Sequence, residues 1–279
     1  ANDVPCGDNL LKQMGEGYRT VRNTLRFLLG NLDDYDGSQP ELLDLDEWAV
    51  EQTDLLVADC VDAYKRFDFG AVIYGVHNFC AKELSKFYLD AIKDRMYCDG
   101  KDWPSRRSGQ YACHYVLQRL VKLLAPILAF TAEETYARLP AYTKLDSVHM
   151  DTFDMPSKER LLAIEASPLQ TRFAALLEYR AGVFAQFEAW KATSGLKDSQ
   201  DAAFDILDSS ANLELLRSFE ADLALYFKVG EVTVAEGPSS VSFRPCEFLK
   251  CERSRLRRAD VEVVNGVPLS ARDRRVLGL

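Results

Sequence analysis

Residues 18–32 read Tyr18-Arg19-Thr20-Val21-Arg22-Asn23-Thr24-Leu25-Arg26-Phe27-Leu28-Leu29-Gly30-Asn31-Leu32 and carry two patterns at helical spacing. The first is an apolar stripe that steps by three and four residues and predicts one buried face on a long helix. Its members are Leu11, Met14, Tyr18, Val21, Leu25, Leu28 and Leu32. The second is a cationic stripe, Arg19, Arg22 and Arg26, centred about 110° from the apolar one. Such arginines either hold phosphates or form a solvated edge with local ion pairs.

The size and composition of the chain are those of an ordinary globular protein. Its 279 residues are enough for two modest domains, or for one domain with appendages. The start, Ala1-Asn2-Asp3-Val4-Pro5, has neither an initiator Met nor a signal pattern, which favours a segment of a longer polypeptide. No apolar run is long enough to span a membrane. The seven cysteines are an odd, scattered set, which favours reduced thiols in the cytoplasm.

The charge is distributed unevenly along the chain. The net charge of −9 is not that of a generic nucleic-acid binder. From Arg244 to the end, however, there are nine Lys and Arg against five Asp and Glu, a balance of +4. The preceding part holds 25 basic and 38 acidic residues, a balance of −13. Any contact with phosphate is therefore expected to be local.

The first part of the chain, residues 1–145, is predicted to be a helical domain. Asp46 is the predicted N-cap of one helix, and residues 109–124 are apolar nearly all round, as in a buried helix. Pro126 breaks that helix and is predicted to lie in the first turn of the next. Helices with short connections indicate an antiparallel helix bundle.

In the second part, residues 157–236, the spacing of apolar residues changes along the chain from a helical to a strand period. A long helix from Pro168 to about Lys191 is predicted to precede a strand–helix–strand unit. The predicted strands are 202–207 and 229–235, and the predicted helix between them is 212–225. Residues 236–240 have the composition of a linker, and 141–157 that of a surface connection. The predicted fold is mainly α with a smaller α/β part.

A short basic tail, residues 241–279, is predicted to contain a β-hairpin with its turn at Asn265-Gly266. Two four-residue segments in this tail have the spacing of zinc-ribbon knuckles, with ends at Cys251, Ser254, Ser270 and Asp273. Only one of the four is a thiol, so we predict a former zinc site that no longer binds metal.

Catalytic patterns are scarce. The three histidines, His77, His114 and His149, lack neighbours with metal-ligand or triad spacing and are predicted to be structural or surface residues. The sequential pair Glu133-Glu134 points about 100° apart on a helix, so it does not make an acid–base pair. We predict no catalytic residue in this chain.

Several segments together resemble the isoleucyl-tRNA synthetases, in the anticodon-binding domain and the zinc-binding tail of that family. The resemblance is dense in the first half, and in the tail most of the family's ligands are replaced. It is carried by 18–35, Leu45-Asp46-Glu47-Trp48, 63–69, 78–97, Arg106-Arg107-Ser108-Gly109-Gln110 and 124–134. The resemblance implies an ATP-dependent ligase whose catalytic domain is absent here, because neither a HIGH-like nor a KMSKS-like signature occurs. The chain alone is expected not to aminoacylate and to hold no cofactor.

The resemblance also implies that the chain binds the anticodon stem-loop of isoleucine tRNA. Arg22 and Asn23 are the candidates for base contacts, because a guanidinium and an amide can each make paired hydrogen bonds to base edges. Candidates for phosphate contacts in the helical part are Arg19, Arg26, Lys93, Arg95, Arg106 and Arg107. Those in the tail are Arg253, Arg255, Arg257, Arg258, Arg272, Arg274 and Arg275.

Each of these assignments has a structural alternative. Arg22 and Asn23 could instead brace the bundle against the catalytic domain, Asp94 and Arg95 could be a local pair, and the tail could be a solvated, disordered end. The expected partners are isoleucine tRNA and the chain's own catalytic domain, for a cytoplasmic monomer that does not touch membranes. Two rival functions remain: a helical structural or protein-interaction module, and a free-standing synthetase-like paralogue.

Overall fold

A computed structural model describes residues 7–140 and 144–279, and the chain divides into two compact units. The first comprises Ala1–Ile92 and Asp102–Ala166, and the second comprises Lys93–Lys101 and Ser167–Leu279. The N-terminal start, Cys6 and part of the predicted 141–157 connection lie outside the described residues.

The first unit is helical. Its first helix, α1, is Asp8–Gly30, and the apolar stripe is buried at Val21, Leu25 and Leu28. Burial of the whole stripe was a wrong prediction, since Leu11 is 58% exposed and Met14 is 63% exposed. The buried contacts of α1 are made by its second half, where it packs against other helices of the unit.

The remaining helices of this unit follow with short connections. They are α2 (Asp44–Lys65), α3 (Phe69–Asn78), a π-helical segment (Phe79–Tyr88), α4 (Leu89–Cys98), α5 (Pro104–Leu124), α6 (Ala129–Tyr136) and α7 (Lys158–Glu165), with α4 ending in the second unit. The predicted buried helix is confirmed as α5, of which Val116, Leu117 and Leu120 are fully buried. The break at Pro126 is confirmed, but the next helix begins only at Ala129, so Pro126 is in the turn before it.

Asp46 is not an N-cap, contrary to the prediction. Helix α2 begins two residues earlier, and the Asp46 side chain is fully buried. Its carboxylate accepts hydrogen bonds from the hydroxyls of Tyr88, at 2.7 Å, and Ser108. A buried carboxylate requires such donors, and these come from distant parts of the chain.

The second unit contains the long helix α8, Pro168–Ser194, which ends at Gly195 with a φ of +76°. A three-stranded sheet follows, in the order β2 (Glu231–Glu236), β1 (Ala202–Asp208), β3 (Ser240–Pro245). β1 is parallel to β2 and antiparallel to β3. The predicted linker at 236–240 is therefore a short connection between two strands of one sheet.

The predicted helix 212–225 is interrupted in the structure. It consists of α9 (Ala211–Arg217), a 3₁₀ turn and α10 (Leu223–Tyr226). At the break, the Ser218 hydroxyl donates to the Leu215 carbonyl, and the buried ring of Phe219 packs against Phe173. Burial of this ring in the core stabilises the protein more than further turns of the helix would.

An aromatic core holds the sheet against α8. Phe204 on β1 lies beside Phe187 of α8, with ring centroids 4.8 Å apart, and beside Phe243 of β3 at 4.9 Å. Phe187 and Phe204 are fully buried. Packing of these rings fixes the face that the sheet turns towards the helix.

The predicted hairpin of the tail is confirmed. β4 (Glu262–Val264) pairs with β5 (Val267–Leu269), and the turn residues Asn265 and Gly266 have φ values of +51° and +81°. Helix α11 (Ala271–Leu277) follows. The architecture, a helix bundle with a small α/β part and a β-hairpin tail, confirms the predicted fold class.

Candidate nucleic-acid interface

One edge of α1 presents the cationic stripe to solvent. Arg19, Asn23 and Arg26 are exposed, and Arg22 is half-buried. Their helical spacing places all four side chains on neighbouring positions of one helix surface. The structure therefore brings these four predicted residues together.

Arg22 is anchored between α1 and α6. Its guanidinium donates to the Tyr18 hydroxyl at 3.2 Å and lies 3.5 Å from a Glu134 carboxylate oxygen. The Tyr18 hydroxyl in turn shares a 3.0 Å hydrogen bond with Thr131. The hydrogen bond to Tyr18 and the charge of Glu134 raise the pKa of Arg22, so its guanidinium stays protonated.

A groove of about 290 Å³ runs beside this contact. Its lining includes Arg22, Arg26 and Arg138 against a single carboxylate, that of Glu134. Arg138 donates to the Glu134 carbonyl at 2.7 Å and keeps a largely exposed guanidinium. Three guanidiniums facing one carboxylate give this groove a net positive charge, which suits an anion.

Arg138 was not among the residues predicted to contact RNA. The available signal was its position four residues after Glu134 and seven after Thr131, although it lies two residues beyond the end of α6. That signal becomes useful only once α6 is known to pack beside α1.

Arg106 and Arg107 have structural partners within the first unit. Arg106 forms a two-fold ion pair with Asp34, and its side chain is only 15% exposed. Arg107 donates to the Asp34 carbonyl at 2.8 Å and to Asp102 at 2.7 Å. These contacts occupy the guanidinium edges that a phosphate would need.

Lys93 and Arg95 lie on α4, at the start of the part that belongs to the second unit. Lys93 is exposed and Arg95 is half-buried. Their neighbour Asp94 forms ion pairs with Arg258, at 3.3 Å, and with Arg272.

The tail arginines mostly face groups of their own unit. Arg257 pairs with Asp201 at 2.8 Å, and Arg274 pairs with Glu262 at 3.3 Å. Arg253, Arg258 and Arg272 also pair with carboxylates. Arg255 forms an exposed local pair with Glu252, and Arg275 is an exposed residue. These two present the most accessible tail guanidiniums.

The remaining groups singled out in the sequence have structural surroundings. Glu133 accepts hydrogen bonds from the Ser147 hydroxyl at 2.9 Å and the Val148 amide at 3.0 Å. Burial lowers the pKa of His114 to about 4. Within residues 7–140 and 144–279, no three His, Cys, Asp or Glu side chains are grouped so that they could hold a metal ion. Over the same residues, no helix is both long and apolar enough to cross a membrane.

Comparison with known proteins identifies the class. The family model for the anticodon-binding domain of tRNA ligases matches residues 46–206. The chain belongs to this family. The match includes most of the helical first unit and the beginning of the sheet in the second.

Individual relatives refine this assignment. The chain is 42% identical over 207 residues to the isoleucine–tRNA ligase of Carboxydothermus hydrogenoformans, covering 72% of this chain and 22% of that protein. It is 36% identical to the enzyme of Syntrophotalea carbinolica, over 84% of this chain and 26% of the relative. It is 34% identical to the enzyme of Cupriavidus pinatubonensis, over 94% of this chain and 28% of the relative. The chain thus spans about a quarter of the length of these relatives, and the resemblance to isoleucyl-tRNA synthetases is confirmed.

Proposed function

We propose that this chain binds the anticodon stem-loop of isoleucine tRNA as part of an isoleucine–tRNA ligase. The observation that carries the proposal is the exposed Arg19–Arg26 edge of α1, next to the three-arginine groove, in a member of an anticodon-binding family. ATP-dependent charging of the tRNA would belong to a catalytic domain that this segment does not contain.

The side chains on α1 divide into two roles. Arg22 and Asn23 would contact bases, since an unstacked loop base offers its edges to an amide and its face to a guanidinium plane. Arg19 and Arg26 would hold phosphates, with Arg138 across the groove. The hydrogen bond from Arg22 to Tyr18 restricts the guanidinium before RNA arrives, which reduces the entropy lost on binding.

In the second unit, Lys93, Arg255 and Arg275 supply further phosphate contacts. Arg106 and Arg107 act by holding the bundle together. The chain works in the cytoplasm as a monomer, with the catalytic domain of its own polypeptide as its protein partner. It needs neither a cofactor nor zinc for this binding.

The test is the affinity of the purified chain for isoleucine tRNA and one non-cognate tRNA across a salt series. We expect tighter binding of the isoleucine tRNA that persists at moderate salt. Arg26→Gln should weaken binding to both tRNAs and reduce the salt slope by about 0.7–0.9. Lys65→Gln, which removes an exposed cation on α2, is the matched control and should leave the slope unchanged.

The opposite outcome would be equal, weak and salt-abolished binding of both tRNAs, with no difference between the two variants. That result would favour the helical interaction module. The exposed Leu11 and Met14 would then be the surface to examine, since Met14 lines an apolar cavity of about 570 Å³.

A further inference from the structure

The two knuckle-like segments of the tail meet in the structure. The thiol of Cys251 donates to the Asp273 carboxylate, with Sγ and Oδ2 3.0 Å apart. The Ser270 hydroxyl donates to the same oxygen at 2.8 Å, and the Ser270 amide donates to Cys251 Sγ at 3.4 Å. Cys251, Ser270 and Asp273 are all fully buried. Three of the four predicted knuckle positions thus form one buried cluster.

These residues do not fit a zinc ion. Two ligands of one tetrahedral zinc, a thiolate and a carboxylate oxygen, would lie about 3.6 Å apart. Cys251 Sγ and Asp273 Oδ2 are closer than that and share a proton, so they bond to each other. The fourth position offers only the Ser254 hydroxyl, whose buried oxygen has no hydrogen-bond partner. A single thiol with one carboxylate is a weak donor set for zinc.

The second knuckle segment has a different structural role, which is to begin a helix. Ser270 is the N-cap of α11, and its hydroxyl accepts from the Asp273 amide at 3.2 Å. Serine followed three residues later by an acidic residue is the capping-box pattern. In the usual box, the acidic side chain would accept from the N-cap amide. Here Cys251 accepts from that amide, which leaves the Asp273 carboxylate available to other donors.

The cation in the cluster is a guanidinium. Arg253, inside the first knuckle segment, donates to Asp273 Oδ1 and to the carbonyl of Cys98 at the end of α4. Arg272, inside the second, contacts Asp273 at 3.4 Å and Asp94 at 2.9 Å. All of these residues belong to the second unit. Two arginines therefore surround the buried Asp273 carboxylate and link it to α4.

We infer that this cluster is a metal-independent clamp in which the Arg253 guanidinium replaces the ion that a zinc ribbon would hold. It joins the two knuckle segments to each other and to the end of α4. A charged donor is needed because Asp273 is fully buried, and a buried carboxylate without a cationic partner is strongly destabilising. The clamp makes the tail an ordered part of the second unit, and this inference does not depend on RNA binding.

The test compares Arg253→Met with Arg255→Met in the whole chain. Both substitutions remove a guanidinium from the same tail segment, but the pair that Arg255 forms with Glu252 is exposed. We expect Arg253→Met to lower the midpoint of thermal unfolding by roughly 5–10 °C. Arg255→Met should lower it by less than about 1 °C. Hydrogen exchange over 251–277 should accelerate only in the Arg253 variant.

Two further measurements separate a clamp from a metal site. A double-mutant cycle with Asp273→Asn should give a combined loss smaller than the sum of the single losses, because the partners act together. Metal analysis of the unaltered chain should find well below one zinc per molecule, and EDTA should leave the midpoint unchanged. About one zinc per chain with destabilisation by EDTA would overturn the inference. Equal behaviour of the two arginine variants would overturn it as well.

Discussion

The Arg106 guanidinium donates two parallel hydrogen bonds to the Asp34 carboxylate, each 2.8 Å long. Gln110 donates to the same carboxylate at 2.7 Å. The Arg106 and Gln110 hydrogen bonds lower the pKa of Asp34 to about 2, although partial burial opposes this. The contact ties the segment after α1 to the first turns of α5 and makes Arg106 a structural brace.

Arg106→Gln should therefore destabilise the protein rather than remove an RNA contact. We expect the free energy of unfolding to fall by about 2 kcal/mol, because a paired, charge-assisted contact is lost and Asp34 is left without its cation. Urea unfolding measures this loss. Arg66→Gln, which breaks an exposed pair with Asp62, is the control and should cost about 0.5 kcal/mol or less. A similar small cost in both variants, with weakened tRNA binding by Arg106→Gln, would assign Arg106 to the RNA surface instead.

Features that depend on residues close together in the sequence could be predicted. Contacts between residues far apart in the sequence could not. The turn at Asn265-Gly266 and the end of α8 at Gly195 depend on neighbouring residues, so local patterns predict them. Arg106 and Asp34 are 72 residues apart. The sequence around Arg106 shows a charged residue that can lie on a helix surface. It does not show that a carboxylate lies opposite.

Separation in sequence also limits what could be predicted of the candidate site. The Arg19, Arg22 and Arg26 stripe follows from helix periodicity and could be predicted in full. Arg138 lies in the turn after α6, so its proximity to Arg22 depends on packing that the sequence does not display. In the tail, composition gives the excess of arginines but not their pairing with Asp94 and Asp201. Composition alone therefore does not show how many of the tail arginines have carboxylate partners.

Protonation of His114 should destabilise the fold in mild acid. Its ring lies against Tyr35, with centroids 5.3 Å apart, and its Nε2 is buried without a partner. Burial and the charge of Arg119 lower the pKa to about 4, so below pH ~6.5 the unfolded chain binds the proton first. Stability should thus fall by up to about 1.4 kcal/mol per pH unit between roughly pH 6.5 and 4.

His114→Phe tests this pH dependence. In urea unfolding across pH 4–7.5, the variant should lack the component of about 3 kcal/mol that the unaltered chain loses. His149→Gln, at an exposed position, should retain the full loss. Identical pH profiles for the His114 variant and the unaltered chain would show that other groups cause the acid sensitivity.

Two glycines of the second unit should respond oppositely to the same substitution. A Cβ at Gly230 would lie 2.6 Å from Cys246 Sγ and 2.7 Å from the Gln200 carbonyl oxygen. Because backbone cannot move aside cheaply, Gly230→Ala should cost at least about 2 kcal/mol. A Cβ at Gly182, exposed within α8, would meet nothing within 4 Å, so Gly182→Ala should add about 0.5–1 kcal/mol. Urea unfolding measures both changes. A Gly230→Ala variant as stable as Gly182→Ala would mean that Gly230 lies further from Cys246 and Gln200 than the structure places it.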